Sequence, residues 1–317
     1  MLALGYCVVA LIVRVIPLSN VFVLFIVVSA AYVPVLAVIG VALALMARRK
    51  LLSTAAVLVL VATLLVQVPW YYFGHPVDVG PHTEVRVLSA NLRKGRADVA
   101  SIVGLARQGA DVITVSELTP DIFRRFTEAG IDGIFPYSLL FPAPEAGGIG
   151  LWSRYPISAV SPTKPGRPGR TAVRLQIPGV RYDPLVASVH ITSPLTNYGR
   201  SFGDWHTAIA AAKAELTDFA DAAGPGAVIV AGDYNSTPDM RQFRDLLTNG
   251  YRDAVHQTGA GFAPTFPSQT WHPPLITIDH VLTRQAVATS IRTIFVPGSD
   301  HRALLASIAV PLDPTAS

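Results

Sequence analysis

Residues 227–235, Ala-Val-Ile-Val-Ala-Gly-Asp-Tyr-Asn, decide the fold of the C-terminal two-thirds of the chain. The apolar and β-branched run before Gly232 predicts a buried strand. That strand ends at Asp233 and Asn235, two polar side chains that could do chemistry. Binding and catalytic side chains are commonly exposed on loops that follow a rigid element. The stretch therefore predicts a site at the edge of a sheet.

Other apolar runs end in polar residues in the same way. Asn91 follows the run 85–90, Glu117 follows 112–116 and His190 follows 185–189. Taken alone, Asn91 could be a turn residue, Glu117 could serve a helix N-terminus, and His190 could be a hydrogen-bonded structural histidine. Their joint occurrence at strand ends, where the ligand sites of open α/β sheets collect, favours a functional site.

Short β-rich runs alternate with helical patterns through this region, which predicts an α/β fold with its sheet buried beneath helices. The predicted strands are residues 85–89, 112–115, 148–152, 172–176, 185–189, 227–231, 277–282 and 304–310. The predicted helices are residues 97–107, 121–129, 204–223 and 240–248.

The N-terminal region is almost free of charge. The charged side chains in residues 1–73 are those of Arg14, Arg48, Arg49 and Lys50. A transmembrane helix needs about 20 apolar residues. The apolar stretches 21–46 and 51–68 are long enough, whereas 2–16 is short and carries Arg14 near its end. The region therefore predicts a membrane anchor of two to three transmembrane helices.

The basic turn at residues 48–50 determines the predicted orientation. Cytoplasmic loops carry an excess of Lys and Arg, so this turn should be cytoplasmic and the third apolar stretch should run outward. Trp70, Tyr71 and Tyr72 follow that stretch and suit the membrane interface. We therefore expect a multi-pass protein of the cell membrane with an extracytoplasmic C-terminal domain, whether or not residues 2–16 span the membrane.

Charge and cysteine content restrict the function further. Residues 81–317 hold 21 basic and 20 acidic residues, a net charge of 21 − 20 = +1, so the basic balance comes from the N-terminal region. A nucleic-acid binder normally carries a basic face in its binding domain, and this balance gives no support for one. Cys7 is the only cysteine, which excludes an intrachain disulfide and a cysteine metal site.

Several motifs, in order, resemble those of the endonuclease/exonuclease/phosphatase superfamily. They are Asn91, Glu117, GGIGLWSRYPI at 147–157, VHI at 189–191, GDYN at 232–235, IDHVL at 278–282 and SDHRAL at 299–304. The resemblance implies a DNase I-like, four-layer α/β sandwich with one cleft at the strand ends. The expected organisation is an anchor over residues 1–73, a linker over 74–84 and a metal-dependent phosphoesterase domain over 85–312.

The resemblance also implies a role for each matching residue. Asn91, Glu117 and Asp300 would hold Mg²⁺ or Mn²⁺, hard cations that prefer oxygen ligands. One histidine would contact the phosphate and assist proton transfer, and a carboxylate would orient it. A second carboxylate would position or deprotonate the attacking water, while an amide and another histidine would contact the phosphoryl oxygens. The first histidine is His301, and the carboxylate that orients it is Asp279. The carboxylate that acts on the water is Asp233, the amide is that of Asn235, and the other histidine is His190.

The favoured substrate is a lipid phosphate at the outer membrane face. The layout resembles a membrane-anchored branch of the superfamily associated with glycopeptide resistance, which includes the vancomycin-resistance protein VanJ, and this implies action on a polyprenyl pyrophosphate. Anionic headgroups attract basic side chains at a membrane surface. Such side chains are available in and after the loop 161–170, namely Lys164, Arg167, Arg170 and Arg174.

Other functions remain open at this point. They are an extracellular endonuclease or exonuclease, a sphingomyelinase-like phosphodiesterase, and a binding or sensory domain without catalysis. Ser116 and Thr277 replace residues that are common in the superfamily, which weakens the nuclease assignment. Nucleic acid is thus a possible but disfavoured partner. The complete set of site residues argues against a domain that only binds.

Overall fold

The structure is a computed structural model that describes residues 1–75, 77–160, 170–195 and 201–316. Its strands are His82–Asn91 (β1), Val112–Ser116 (β2), Tyr137–Phe141 (β3), Ile149–Ser153 (β4), Ile157–Ala159 (β5), Arg170–Leu175 (β6), Leu185–His190 (β7), Val228–Asp233 (β8), Arg252–Asp253 (β9), Asp279–Arg284 (β10), Val287–Phe295 (β11) and Arg302–Pro311 (β12). Its α-helices are Leu2–Val15 (α1), Val21–Val28 (α2), Val33–Met46 (α3), Lys50–Val68 (α4), Val99–Gly109 (α5), Pro120–Glu128 (α6), Ser201–Ala223 (α7), Arg241–Arg244 (α8) and Ala254–Thr258 (α9).

The strands form two six-stranded sheets. The first has the order β11-β12-β1-β2-β4-β3 and the second has the order β5-β6-β7-β8-β10-β9. One apolar core lies between the sheets, a second lies between the first sheet and α5 and α6, and a third lies between the second sheet and α7 and α8. This is the predicted four-layer sandwich, and each strand predicted from the sequence is present.

Strands β3, β5, β9 and β11 were not predicted from the sequence. β5 and β9 are only three and two residues long, and β3 and β11 are outer strands of the first sheet with partly exposed residues. The alternation of apolar and polar residues that marks a half-buried strand is weak in such segments. Pairing with the neighbouring strand, rather than local pattern, therefore fixes them.

The strand directions bring the predicted site residues to one edge of the sandwich. β1 is parallel to β2, and β7 is parallel to β8, so the carboxyl ends within each pair lie together. His190 is paired with Asp233 across β7 and β8, and Asp279 is paired with Asp233 across β10 and β8. Gly232 is required here, because a Cβ at this position would lie 1.9 Å from the carbonyl oxygen of Val189.

The N-terminal region is helical but not uniformly so. The second apolar stretch consists of α2, a 3₁₀ turn at Ser29–Tyr32, and α3, and α4 continues into a π-helical turn at Pro69–Phe73. The stretches Val21–Met46 and Lys50–Phe73 are long and apolar enough to cross a membrane, judged by length and composition, whereas α1 is shorter. Only 28% and 17% of their most apolar windows are buried, which is unlike the core helix of a soluble protein.

These helices pack against the second sheet's side of the sandwich. Leu24 and Val27 of α2 lie in the same apolar core as Trp205 of α7 and Phe243 of α8. The opposite side of α2 exposes large apolar residues, among them Phe22, which is 83% exposed. One face of α2 therefore packs against the domain, and its opposite face forms part of an exposed apolar surface. α1 packs beside α3 through Cys7, Ala10, Val33 and Ala37.

A buried polar contact joins the N-terminal helices to the domain. Asp239 is 2% exposed, and its Oδ1 accepts hydrogen bonds from Arg14 Nε at 2.8 Å and from Gln67 Nε2 at 2.8 Å. Arg14 lies at the end of α1, and Gln67 lies at the end of α4. Both helices thus end at the domain. Arg14, which the sequence marked as an interruption of an apolar stretch, is the partner of a domain carboxylate.

Candidate active site

Two carboxylates and an amide converge at the carboxyl ends of β1, β2 and β8. Asn91 is buried, and its Nδ2 donates to Glu117 Oε1 at 3.2 Å and to Asp233 Oδ2 at 3.0 Å. Its Oδ1 accepts from the backbone N–H of Arg93 at 2.8 Å. Glu117 adopts a φ of 59°, a left-handed conformation that is uncommon outside glycine and is often found at functional sites.

A second group joins His301 to two aspartates. His301 Nδ1 donates to Asp279 Oδ2 at 2.8 Å, and its Nε2 lies 3.8 Å from Asp233 Oδ2. One ligand atom from each of these three buried residues lies within 4.8 Å of the others. Because Nδ1 is bonded to Asp279, the ring is held in one orientation and only Nε2 is available to a substrate.

His190 and Asn235 complete the predicted set. His190 Nδ1 donates to the carbonyl oxygen of Ala146 at 3.1 Å, and its Nε2 lies 3.8 Å from Glu117 and 3.7 Å from Asp233. Asn235 donates from Nδ2 to the carbonyl oxygen of Ile191 at 2.8 Å and to Asp233 Oδ2 at 3.2 Å. The other four predicted catalytic residues therefore surround the carboxylate of Asp233.

Burial and charge act together on the two central titratable groups. Burial raises the pKa of Asp233 to about 6, against the opposing effect of His301. Burial alone would lower the pKa of His301, but the carboxylates of Asp279 and Asp233 outweigh it and raise that pKa to about 10. At neutral pH the ring is thus protonated and Asp233 is ionised, which places a positive charge and a proton acceptor side by side.

The site opens into a cleft of 760 Å³ that is lined by both basic and acidic side chains. Arg93, Lys94 and Arg96 follow Asn91 in the chain and line this cleft. Asp300 also lines it, and its Oδ2 lies 3.6 Å from Arg93 Nε. Asn91 and Glu117, two of the three predicted metal ligands, are thus in direct contact, while Asp300 contacts Arg93.

Some residues that shape the site were not predicted from the sequence. Ser299 Oγ donates to the carbonyl oxygen of Asn91 at 2.8 Å and accepts from the backbone N–H of His301 at 3.0 Å. Thr265 Oγ1 accepts from the backbone N–H of Asp279 at 3.3 Å. Ser299 opens the SDHRAL motif and could have been found there, whereas Thr265 lies in a segment without a motif.

The histidine of the IDHVL motif has a structural place. His280 is 2% exposed, and its Nδ1 bonds to Asp253 Oδ2 at 2.8 Å. Its Nε2 bonds to the carbonyl oxygen of Ser236 at 3.0 Å. Successive side chains of a strand point to opposite faces, so Asp279 faces the cleft and its neighbour faces the core. His280 therefore fixes the turn that follows Asp233.

The basic loop proposed to meet headgroups is seen only in part. Residues 161–169 lie outside the described residues, and with them Lys164 and Arg167. Arg174 donates to the carbonyl oxygens of Asp183 and Ala222. It is paired with Leu185 at the start of β7, the end of that strand that lies away from the cleft. Arg174 therefore lies away from the cleft, with its guanidinium bound to carbonyl oxygens of the domain.

The motif order and this geometry agree with a comparison against protein families. Residues 88–301, more than half of the chain, match the Endonuclease/Exonuclease/phosphatase family. The chain belongs to this family. Its members are metal-dependent phosphoester hydrolases, and the chain is accordingly an enzyme of that class. A search of curated proteins found no match.

Solved structures show the same fold. A 3′ phosphatase from Neisseria, bound to a product DNA hairpin, is 15% identical with a TM-score of 0.57 over 70% of this chain and 98% of its own. An endonuclease/exonuclease/phosphatase from Bacteroides vulgatus is 17% identical with a TM-score of 0.56, over 72% and 99%. A humanized TDP2 from D. rerio is 17% identical with a TM-score of 0.53, over 71% and 98%. Identities this low establish the fold and not the substrate.

The oxygen atoms of the site fit the divalent cation that the family uses. Glu117 Oε1 and Asp233 Oδ2 both lie within 3.2 Å of Asn91 Nδ2, so two carboxylates converge on one point. Carboxylate and amide oxygens are the ligands that a hard cation prefers. A divalent cation would take a carboxylate oxygen from Glu117 and an amide oxygen from Asn91. Glu117 and Asn91, two of the three predicted ligands, are thus the residues that would hold it.

Proposed function

We propose that this protein is a membrane-anchored phosphoesterase that hydrolyses a phosphate-ester or pyrophosphate bond of a lipid phosphate at the outer membrane face. The observation that carries the proposal is the position of the anchor beside the site. Asp239, which binds Arg14 and Gln67, lies four residues after Asn235 on the same turn. Because the loop that carries Asn235 is bound to the ends of α1 and α4, a membrane that these helices enter would have its lipid headgroups at the level of the cleft.

The side chains around Asp233 divide the work of the reaction. A water attacks phosphorus as the bond to the leaving oxygen breaks, and its proton passes to the Asp233 carboxylate. His301, protonated and held by Asp279, donates from Nε2 to a phosphoryl oxygen and stabilises the charge that develops there. His190 Nε2 faces the same oxygens, and Asn235 positions the Asp233 carboxylate by donating from Nδ2 to its Oδ2. A bound Mg²⁺ would supply a Lewis acid that neutralises phosphoryl charge.

The proposal can be tested with a panel of substrates. We expect the full chain, reconstituted in lipid vesicles with Mg²⁺, to release phosphate from polyprenyl pyrophosphate faster than it cleaves sphingomyelin or DNA. The anchor presents the cleft to lipids, and the near-neutral domain offers no broad basic face to DNA. Cleavage of DNA without measurable release from any lipid would support the nuclease alternative instead.

We also propose that the domain lies outside the cytoplasm. The basic turn at residues 48–50 and the domain lie at opposite ends of α4, about 28 Å apart at 1.5 Å per residue. If α4 crosses the membrane, the turn and the domain are therefore on opposite sides, and the positive-inside rule assigns the turn to the cytoplasm.

A reporter fused after Ser317 tests this orientation. We expect a reporter that works only outside the cytoplasm to be active and one that works only inside to be silent. Neutralising Arg48, Arg49 and Lys50 together should produce a mixture of orientations, because the charge bias is lost. Activity of only the cytoplasmic reporter on the unaltered chain would refute the orientation.

A further inference from the structure

A segment between α9 and β10 connects the anchor to the cleft. From Ala254 to Ile278 the chain contains no Lys, Arg, Asp or Glu, which is unusual for a surface segment of a domain rich in charged residues. Within it, isolated bridges pair Phe266 with Ile276 and Gln269 with His272. Residues 266–276 thus form a small hairpin, called here the 266–276 hairpin.

One side of this segment packs against the anchor. The ring of Phe262 makes edge-on contacts with Tyr32 and Tyr71, with centroids 5.9 and 5.4 Å apart. Tyr32, from the turn between α2 and α3, donates from Oη to the carbonyl oxygen of Leu275 at 2.5 Å. The segment is therefore held against both apolar stretches through Phe262, and the hairpin itself is held at Leu275 by Tyr32.

The other side of the segment forms part of the catalytic cleft. The ring centroids of Phe266 and His301 are 4.9 Å apart, and Phe266 lines the cleft. The backbone N–H of Ser268 donates to the carbonyl oxygen of Asp300 at 2.7 Å. The distance between the anchor and the catalytic histidine is thus spanned by a single hairpin.

The tip of the hairpin is apolar and exposed. Trp271 is 78% exposed and Leu275 is 49% exposed. At the end of α4, next to the same segment, Tyr72 and Phe73 are 59% and 70% exposed. A tryptophan this exposed on a soluble surface is uncommon, whereas tryptophan and tyrosine are enriched where a membrane meets water.

We propose that the 266–276 hairpin is a membrane contact, with Trp271 and Leu275 in the headgroup region of the leaflet at which α4 ends. This inference rests on the proposed membrane anchoring and extends it to a specific surface of the domain. The occupant is the bilayer, because the exposed side chains continue the aromatic group at the end of α4 and carry no charge that would select a protein partner. The contact keeps the mouth of the cleft, at Phe266 and His301, beside the lipid phosphates.

Tryptophan quenching by brominated lipids tests the contact. The full chain is reconstituted in phosphatidylcholine and phosphatidylglycerol vesicles that carry bromine either near the headgroup or near the methyl end of the acyl chain. The emission of Trp271 is the difference between the unaltered chain and Trp271→Phe, a substitution that keeps an aromatic ring. We expect this emission to fall by about twofold or more with bromine near the headgroup, and less with deep bromine.

A matched control places a tryptophan elsewhere on the domain. Tyr137, 38% exposed, lies at the start of β3, on an edge of the first sheet, whereas the anchor packs on the second sheet's side. In the Trp271→Phe background, Tyr137→Trp should give an emission that neither bromolipid quenches. Quenching of both positions alike would show that the domain has no oriented contact and would overturn the proposal.

The remaining outcomes separate this inference from the function on which it rests. If the chain floats with the vesicles but Trp271 is not quenched, the hairpin contact is wrong and the anchoring stands. An emission that instead depends on the protein-to-lipid ratio would assign the tip to a second copy of the chain and would also overturn the contact. If the chain does not float with vesicles at all, both the anchoring and the hairpin contact are refuted.

Discussion

Replacing His301 with alanine is expected to lower turnover by about 10²–10⁴-fold while the protein stays folded. The ring is held by Asp279 and offers Nε2 to the cleft, so its loss removes charge stabilisation and proton transfer in the transition state. The cavity left behind opens into the cleft rather than the core. Steady-state kinetics on the lipid phosphate, together with the thermal unfolding midpoint in detergent, measure both parts of the expectation.

Two further variants make this test specific. Asp279→Asn should give a partial loss in the same direction, since the ring keeps its place and loses its orienting charge, and the double variant should be no worse than His301→Ala alone. His206→Ala, on an exposed position of α7, is the matched control and should turn over normally. A folded His301→Ala protein with near-normal turnover would mean that another residue does this work.

Replacing Arg14 with methionine is expected to destabilise the protein by about 3–5 kcal/mol, because the buried carboxylate of Asp239 loses its charged partner. The side chains of Arg14 and Asp239 are 13% and 2% exposed, so water cannot take over the interaction. Chemical unfolding in one detergent, followed by tryptophan fluorescence, measures the free energy of unfolding. Thermal inactivation should shift in parallel, since Asp239 lies on the turn that carries Asn235.

An exposed ion pair provides the control for the stability that Arg14→Met is expected to lose. Arg124 and Asp121 form a pair on α6 with side chains 71% and 64% exposed, and Arg124→Met should cost less than about 1 kcal/mol. Combining Arg14→Met with Asp239→Leu should recover much of the stability, because no buried charge then remains unpaired. Equal effects of Arg14→Met and Arg124→Met would show that the anchor and the domain are not joined by this contact.

The sequence predicted which side chains gather at one edge of the sandwich, because the ends of strands determine their positions. Asn91, Glu117, His190 and Asp233 each follow an apolar run, and parallel pairing of those runs brings their ends together. Local pattern and strand direction are enough to predict such a gathering. The sandwich follows from the same runs, and the strands that were missed are short or lie at a sheet edge.

The contacts between distant segments could not be predicted in this way. Arg14 and Asp239 are 225 residues apart, and hydropathy shows only that an arginine interrupts an apolar stretch. Asp279 and His280 are adjacent in the motif, and both are residue types that serve in catalysis. Only the packing of β10 determines that Asp279 faces the cleft and His280 the core. Phe266 packs against His301, but it lies in a segment that has no recognisable motif, so no sequence pattern indicated this contact.

Phosphate release from polyprenyl pyrophosphate by the full chain in vesicles, before and after exhaustive chelation of divalent cations, tests the proposed activity most directly. The Glu117 carboxylate beside the amide of Asn91 is a ligand set for a hard cation, so we expect chelation to abolish release. Added Mg²⁺ or Mn²⁺ should restore it, and His301→Ala protein should stay inactive in every condition. Full activity after chelation, or restored activity in the His301→Ala protein, would contradict a metal-dependent phosphoesterase centred on Asp233.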